Sequence, residues 1–246
     1  MNSLPDFLII GVQRGGTSSL YNYLISHPKI TPATQKEIHF FDYNFHKGVT
    51  WYKSQFKKEG ICGEASPYYI FHPHAPKRIV NLIPTIKMII LLRNPVDRAY
   101  SHYNHELRLG IENLPIEDAI KQESKRLDNE TKKIIADESY YSFNHQHFSY
   151  LTRGIYVEQL KKWITMFSKE QILLIKSEDF FQNPLGVTNN VFNFLELEPL
   201  NQIPDTIFNR NTNPPMKNEM REYLNEYFRI PNQRLYKLIG KNFGWQ

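Results

Sequence analysis

The residues with the most chemical content open the chain. Phe7-Leu8-Ile9-Ile10-Gly11-Val12-Gln13-Arg14-Gly15-Gly16-Thr17-Ser18-Ser19-Leu20 reads as a buried strand, a glycine-rich turn and the start of a helix. Such a turn lets consecutive backbone N–H groups converge on an anion at the positive end of the helix. Gly15 and Gly16 permit close approach, Thr17, Ser18 and Ser19 add hydroxyl donors, and Arg14 supplies a cation. The pattern predicts a phosphate site. A nucleoside-triphosphate loop reads G-x-x-x-x-G-K-[ST]; counted from Gly11, Gly16 and Ser18 fall in place, but Thr17 stands where the lysine belongs. The strand that would carry a magnesium-binding Asp ends instead in Arg93-Asn94-Pro95. Both departures argue against ATP hydrolysis and for an anion held by protein cations alone. Arg93 and Ser101 lie eight positions apart, one at a strand end and the other about two turns along the next helix. Taken alone, Arg93 reads as a helix-capping or ion-pair residue and Ser101 as an ordinary helix serine, although the spacing lets both meet on one phosphate.

Short apolar runs alternating with amphipathic stretches must position these groups, which is the pattern of βα units around a parallel sheet. The clearest strands are Phe7-Ile10, Lys87-Leu92 and Gln171-Ile175, and Ile61-Gly63 reads as a further one. Helices are expected from about Thr17 to Ser26, from Val96 to about Leu109 before Gly110, and from Pro184 to Leu195. Tyr156, Leu160, Trp163, Ile164 and Phe167 share one helix face and read as core. Met216 to Ile239 reads as two helices broken at Pro231, packed through Tyr223, Tyr227, Leu235 and Leu238. The charged stretch Lys121 to Lys133 reads as a solvated face. No repeat, low-complexity tract or flexible linker interrupts the 246 residues, so one α/β domain, 1–246, with a central parallel sheet flanked by helices is expected.

Composition sets the boundaries. A hydrophobic content of 41% with 22% charged residues excludes a disordered tail, a collagen repeat and a membrane bundle. The net charge of +5 suits an anionic ligand and does not demand nucleic acid. A lone Cys62 cannot form an internal disulfide and rules out a cysteine-built zinc site, so a reducing, cytoplasmic setting is expected. There is no apolar run long enough to span a bilayer and no leader pattern at the N-terminus. His72 and His74 flank Pro73 in a loop, and no His, Cys, Asp or Glu spacing implies a metal.

The loop carries a family resemblance. Arg14-Gly15-Gly16-Thr17-Ser18-Ser19-Leu20 resembles the 5′-phosphosulfate loop of sulfotransferases that use 3′-phosphoadenosine 5′-phosphosulfate (PAPS). Lys36-Glu37-Ile38-His39-Phe40-Phe41-Asp42 is similar to the K-E-x-H-F-F-D segment of the branch containing heparan sulfate sulfotransferases and their bacterial relatives. Ile89 to Pro95, with Asp97, Arg98, Tyr100 and Ser101, resembles that branch's 3′-phosphate strand and helix, and Asn232, Leu235, Tyr236 and Phe243-Gly244-Trp245 resemble its ending. The likeness spans nearly the whole chain. It implies the P-loop nucleotide-kinase-like sulfotransferase fold, PAPS as co-substrate with no metal, and a bare catalytic domain of bacterial, cytoplasmic type without a membrane anchor.

By the resemblance, Arg14, Gly15, Gly16, Thr17 and Ser18 hold the phosphosulfate, Arg14 also steadying the leaving phosphate, while Arg93 and Ser101 grip the 3′-phosphate. Glu37 is implied as general base, with His39 as the reserve candidate, and Lys36 orients the bridging oxygen or an anionic acceptor. Two departures stand out. Ala65 in Glu64-Ala65-Ser66-Pro67-Tyr68-Tyr69 replaces the lysine of E-K-[ST]-P-x-Y that contacts acidic glycan in the animal enzymes. Near Asn209 to Lys217, with Arg210, Pro214 and Pro215, neither the family's disulfide nor its K-G-R nucleotide clamp is present. Arg153-Gly154-Ile155-Tyr156 is a candidate third nucleotide contact, although Tyr156 also fits the core stripe. Tyr43, Trp51, Tyr68 and Tyr69 suggest a stacking surface for an acceptor ring, so the acceptor is expected to be a glycan, lipid or small molecule bearing a hydroxyl or, second, an amine. A nucleotide kinase or NTPase, and a non-catalytic anion-binding module, are the alternative readings.

Overall fold

The computed structural model describes residues 3–57, 59–205 and 213–245. In chain order the elements are β1 (Phe7–Gly11), α1 (Thr17–Leu24), β2 (Ile30–Pro32), α2 (Gly48–Ser54), β3 (Ile61–Ala65), α3 (Ala75–Leu82) and β4 (Lys87–Leu92). There follow α4 (Pro95–Arg108), α5 (Ile116–Arg126), α6 (Glu130–Ala136), α7 (Phe143–His147), α8 (Tyr156–Met166), β5 (Ile172–Lys176), α9 (Ser177–Gln182), α10 (Pro184–Phe194) and α11 (Asn218–Ile239). Two compact units emerge, residues 1–92 with 163–210, and residues 93–162 with 211–246.

The first unit is an α/β layer. Its sheet runs β2-β3-β1-β4-β5, every neighbouring pair parallel. β1 and β4 lie at the centre, as their unbroken apolar sequences require of strands covered on both faces. Phe7, Ile9, Ile89 and Leu91 share one buried cluster with Leu20, Tyr21 and Leu24 of α1, Phe180 of α9, and Val191 and Phe192 of α10. Leu8, Ile10, Met88 and Ile90 alternate onto the opposite face, equally inaccessible. The register of β1 against β4 slips between Ile9 and Gly11, an irregularity just ahead of the glycine-rich turn. β2 was not legible in the sequence: it has three residues, ends in Pro32 and sits at the sheet edge, where a missing N–H is tolerated.

The second unit is helical. Val96, Ile120, Leu151, Met220, Leu224 and Phe228 form its apolar cluster. Buried charges organise the chain between α7 and α8. Arg98 donates to the carbonyls of Ser149 and Tyr150, and Arg153 donates to those of His145 and Gln146. The Glu123 carboxylate accepts from Leu151 N, Thr152 N and Thr152 Oγ1 at 2.7, 2.8 and 2.6 Å. Arg153, 1% exposed, is thus a structural tether. Tyr156 is core, and its hydroxyl donates to the Arg93 carbonyl at 2.8 Å.

The expected break at Pro231 is absent from the C-terminal helix. α11 continues through Pro231 as one helix, buried at Met220, Leu224, Phe228, Asn232 and Leu235, whereas Tyr223 and Tyr227 face solvent. Proline removes one N–H from the ladder, but buried residues on both sides of it keep a continuous stripe in place.

Candidate active site

The glycine-rich turn sits between the end of β1 and α1. Val12 N donates to Leu91 O and Gly15 N to Val12 O, both at 2.9 Å, which ties the turn to β4 and to itself. From the far end of the sheet, Ser177 at the start of α9 donates its hydroxyl to Gly15 O at 2.8 Å. Arg14 and Gly16 both adopt positive φ, 69° and 98°, and Gly16 caps α1. A Cβ at Gly16 would lie 2.9 Å from Phe181 Cε1, in a backbone region that L-residues enter at a cost. Gly16→Ala is therefore expected to lower stability by about 1–2 kcal/mol, read as a reduced thermal midpoint. The first turn of α1, Thr17 to Ser19, presents hydroxyls where helical geometry leaves N–H groups outside the i→i−4 ladder.

Lys36 comes to this turn from the segment after β2. Its Nζ donates to Ser18 Oγ at 2.6 Å and to Glu37 Oε1 at 2.5 Å. A lysine ammonium thus reaches the loop from another element, although Thr17 fills the lysine position of the loop itself. Glu37 Oε2 accepts from His39 Nε2 at 3.2 Å, and His39 Nδ1 meets Asp42 Oδ2 at 2.6 Å. Asp42 is buried, while 36% of the Glu37 side chain is exposed.

Electrostatics follow from these contacts. For His39, burial disfavours the charged ring, but the carboxylates of Asp42 and Glu37 outweigh it and push the pKa up to about 10. Both ring nitrogens then donate, and the imidazolium carries its proton through the neutral range. For Glu37, burial pulls upward, yet the His39 and Lys36 donors hold the carboxyl below its ordinary value. Tyr43 stacks on the His39 ring at 4.5 Å and is 37% exposed, and Lys47 lies over the Trp51 ring at 4.4 Å. Tyr68 and Tyr69 are buried instead, so they form no acceptor surface.

The first unit therefore gathers Ser18, Lys36, Glu37 and His39 into one hydrogen-bonded chain. In the second, Arg93 follows β4 directly, and the Asn94 side chain caps α4 by accepting from Val96 N at 3.0 Å, with Pro95 at the first helical position. Ser101 lies on α4 and is 2% exposed. Asn209 and Arg210 lie outside the described residues. Sequence reasoning missed Ser177 and Asp42: the first braces the turn from 162 positions away, and the second gives no signal beyond its place in the Lys36–Asp42 segment.

Comparison with known proteins identifies the family. A model of the sulfotransferase domain matches residues 4–236. A crystal structure of a sulfotransferase from Alicyclobacillus acidocaldarius superposes with a TM-score of 0.82 at 30% identity, covering 98% of each chain. The membrane-associated sulfotransferase kil1 of Dictyostelium discoideum is 26% identical across 99% of this chain and 67% of its own length. The bifunctional heparan sulfate N-deacetylase/N-sulfotransferase 1 of Caenorhabditis elegans is 30% identical across 98% of this chain, which spans 30% of that larger protein. Among the described residues no helix is long and apolar enough to cross a membrane. On these grounds the chain belongs to the sulfotransferase family and is a PAPS-dependent sulfuryl-transfer enzyme.

Proposed function

We propose that this sulfotransferase moves the sulfuryl group of PAPS to a hydroxyl, in preference to an amine, of a glycan acceptor. One observation carries the reading: Ser18 of the phosphosulfate loop, Lys36, Glu37 and His39 form an unbroken chain of hydrogen bonds. A base is thereby tied to the anion-binding turn, and it stays ionised because two cations flank it. The donor set fits a phosphosulfate: Arg14 and Lys36 supply positive charge, and the turn and first helical residues supply N–H and O–H donors. As the acceptor oxygen bonds to sulfur, its proton passes to Glu37. The sulfur–oxygen bond to the 5′-phosphate breaks with its electron pair on the phosphate oxygen, leaving adenosine 3′,5′-bisphosphate. Arg14 and Lys36 stabilise that charge more as it develops than before. His39 holds Glu37 in place from one side and is anchored by Asp42. Arg93 and Ser101 grip the 3′-phosphate.

Glycan is favoured because Tyr43, half-exposed and stacked on His39, offers a ring face beside the base, and because relatives at 30% identity are named for heparan sulfate. The family match runs through both compact units, which supports reading 1–246 as one sulfotransferase domain. A cytoplasmic, bacterial setting is part of the proposal, supported by Cys62, a buried free thiol, and by the similarity to the Alicyclobacillus enzyme.

Isothermal titration with adenosine 3′,5′-bisphosphate tests the nucleotide site. Binding in the micromolar range is expected, with Arg14→Ala weakening it at least tenfold, since a charge-assisted phosphate contact contributes about 1.5–3 kcal/mol. Absence of binding heat at high protein concentration, or unchanged binding by Arg14→Ala, would reject the assignment.

A further inference from the structure

The segment that carries Glu37 and His39 has no regular secondary structure from Glu37 to Phe40, so something other than a helix or strand must hold it. His39 in addition has φ of 54°, a left-handed conformation that a non-glycine residue keeps only when its surroundings enforce it. The enforcing groups come from the end of β3 and the turn after it. Ile38 N donates to Glu64 Oε2 at 3.1 Å, His39 N to Ser66 Oγ at 3.0 Å, and Phe40 N to Tyr69 Oη at 2.7 Å. Three consecutive amides are thus taken by three side chains of the Glu64-Ala65-Ser66-Pro67-Tyr68-Tyr69 stretch.

These three side chains are themselves joined at Glu64. Ser66 Oγ donates to Glu64 Oε2 at 2.5 Å, and Tyr69 Oη donates to Oε1 at 2.8 Å. Tyr52 Oη supplies a fourth donor, also at 2.8 Å to Oε1. Glu64, Ser66, Tyr69 and Tyr52 are all fully inaccessible to solvent. Each hydroxyl that accepts from a backbone amide must send its own proton elsewhere, and a buried carboxylate is the acceptor that orients both. Carbonyls are held too: Ala65 N donates to Lys36 O at 2.9 Å, and Arg78 donates to Phe41 O at 3.1 Å and Asp42 O at 2.7 Å.

We propose that Glu64, acting through Ser66 and Tyr69, is the positioning group of this active site, fixing the backbone of Ile38 to Phe40 so that Glu37 and His39 stay in register with each other. The proposal rests on the reading of Glu37 as base, and none of the three side chains touches substrate. A slack segment would let the Glu37–His39 contact lengthen, and misplacement of a reacting group by about 1 Å costs about 10²-fold in rate.

Tyr69→Phe isolates the effect. It removes the acceptor of Phe40 N–H with little change in volume, while Tyr52→Phe removes a donor to the same carboxylate without touching the 38–40 backbone. Expected for Tyr69→Phe is a fall in kcat of about 10²-fold for transfer from labelled PAPS to desulfated heparan sulfate. Acceptor KM and nucleotide Kd stay within about twofold, and Tyr52→Phe stays near wild type. NMR titration of the His39 ring gives a readout independent of the acceptor: its midpoint, near 10 in the wild type, drops by about one unit or more in Tyr69→Phe and holds in Tyr52→Phe. If Tyr69→Phe does not fold, Ser66→Ala, which frees His39 N–H, takes its place under the same expectations. A wild-type His39 midpoint together with wild-type kcat in these variants overturns the proposal. If the glycan accepts no sulfate, the titration decides alone. Full activity of Glu37→Gln, by contrast, would overturn the base assignment and leave the titration to judge the positioning.

Discussion

Glu37→Gln lowers kcat/KM for sulfate transfer by 10²–10⁴-fold, the range associated with removal of a general base, while adenosine 3′,5′-bisphosphate binds within about twofold of wild type. The amide keeps the shape of the side chain and can still accept from Lys36, but it cannot take the acceptor proton. The pH profile carries the same argument. Because His39 and Lys36 hold the Glu37 carboxyl below its ordinary value, the acid limb of the wild-type rate lies below the usual carboxylate range. His39 stays protonated until pH approaches about 10, so the rate holds through neutral and mildly alkaline solution and changes only as that proton leaves and Glu37 loses a donor. A limb near pH 6.5 would instead mark an unperturbed histidine acting as the base. Steady-state rates from pH 4 to 10.5 with saturating nucleotide distinguish the two, because a base-active His39 loses activity as pH falls and an orienting His39 does not.

The order of strand, turn and helix was readable because it is written locally: the apolar runs Phe7-Leu8-Ile9-Ile10 and Met88-Ile89-Ile90-Leu91-Leu92 read as buried strands, and two glycines beside three hydroxyl residues end the first of them. Lys36, Glu37 and His39 were readable for a different reason, a resemblance to a seven-residue segment. What holds that segment was not readable. Tyr69 looks like a candidate stacking surface in sequence, yet its hydroxyl bridges Phe40 N and Glu64, 29 positions from the first. Ser177 gives no local sign of bracing Gly15. Hydrogen bonds between side chains and remote backbone depend on which strands are neighbours, and sequence order does not state that β3, β1 and β4 lie side by side. Pro231 shows the converse. A local rule predicted a break, and tertiary burial of Phe228, Asn232 and Leu235 carried the helix through it.

Arg93→Ala weakens binding of adenosine 3′,5′-bisphosphate by about 10²-fold, the loss of about 3 kcal/mol expected when a charged bidentate partner of phosphate is removed. The position is prepared for that task. The Arg93 carbonyl accepts the Tyr156 hydroxyl, and the next two residues, Asn94 and Pro95, fix the start of α4. Backbone on both sides of the guanidinium's stem is therefore set before ligand arrives, which limits the entropy lost on binding. Adenosine 5′-phosphate supplies the control, because it lacks the 3′-phosphate. Wild-type enzyme should prefer the bisphosphate by about 10²-fold, and Arg93→Ala should erase most of that preference while changing affinity for the monophosphate by less than about threefold. Arg93→Lys should fall between, since an ammonium restores charge but not the planar fork. Equal weakening toward both nucleotides would place Arg93 against the 5′ end or assign it to folding, and the thermal midpoint of Arg93→Ala, unchanged in the first case and lowered in the second, separates those two outcomes, while Ser101→Ala should lose about tenfold for the bisphosphate alone.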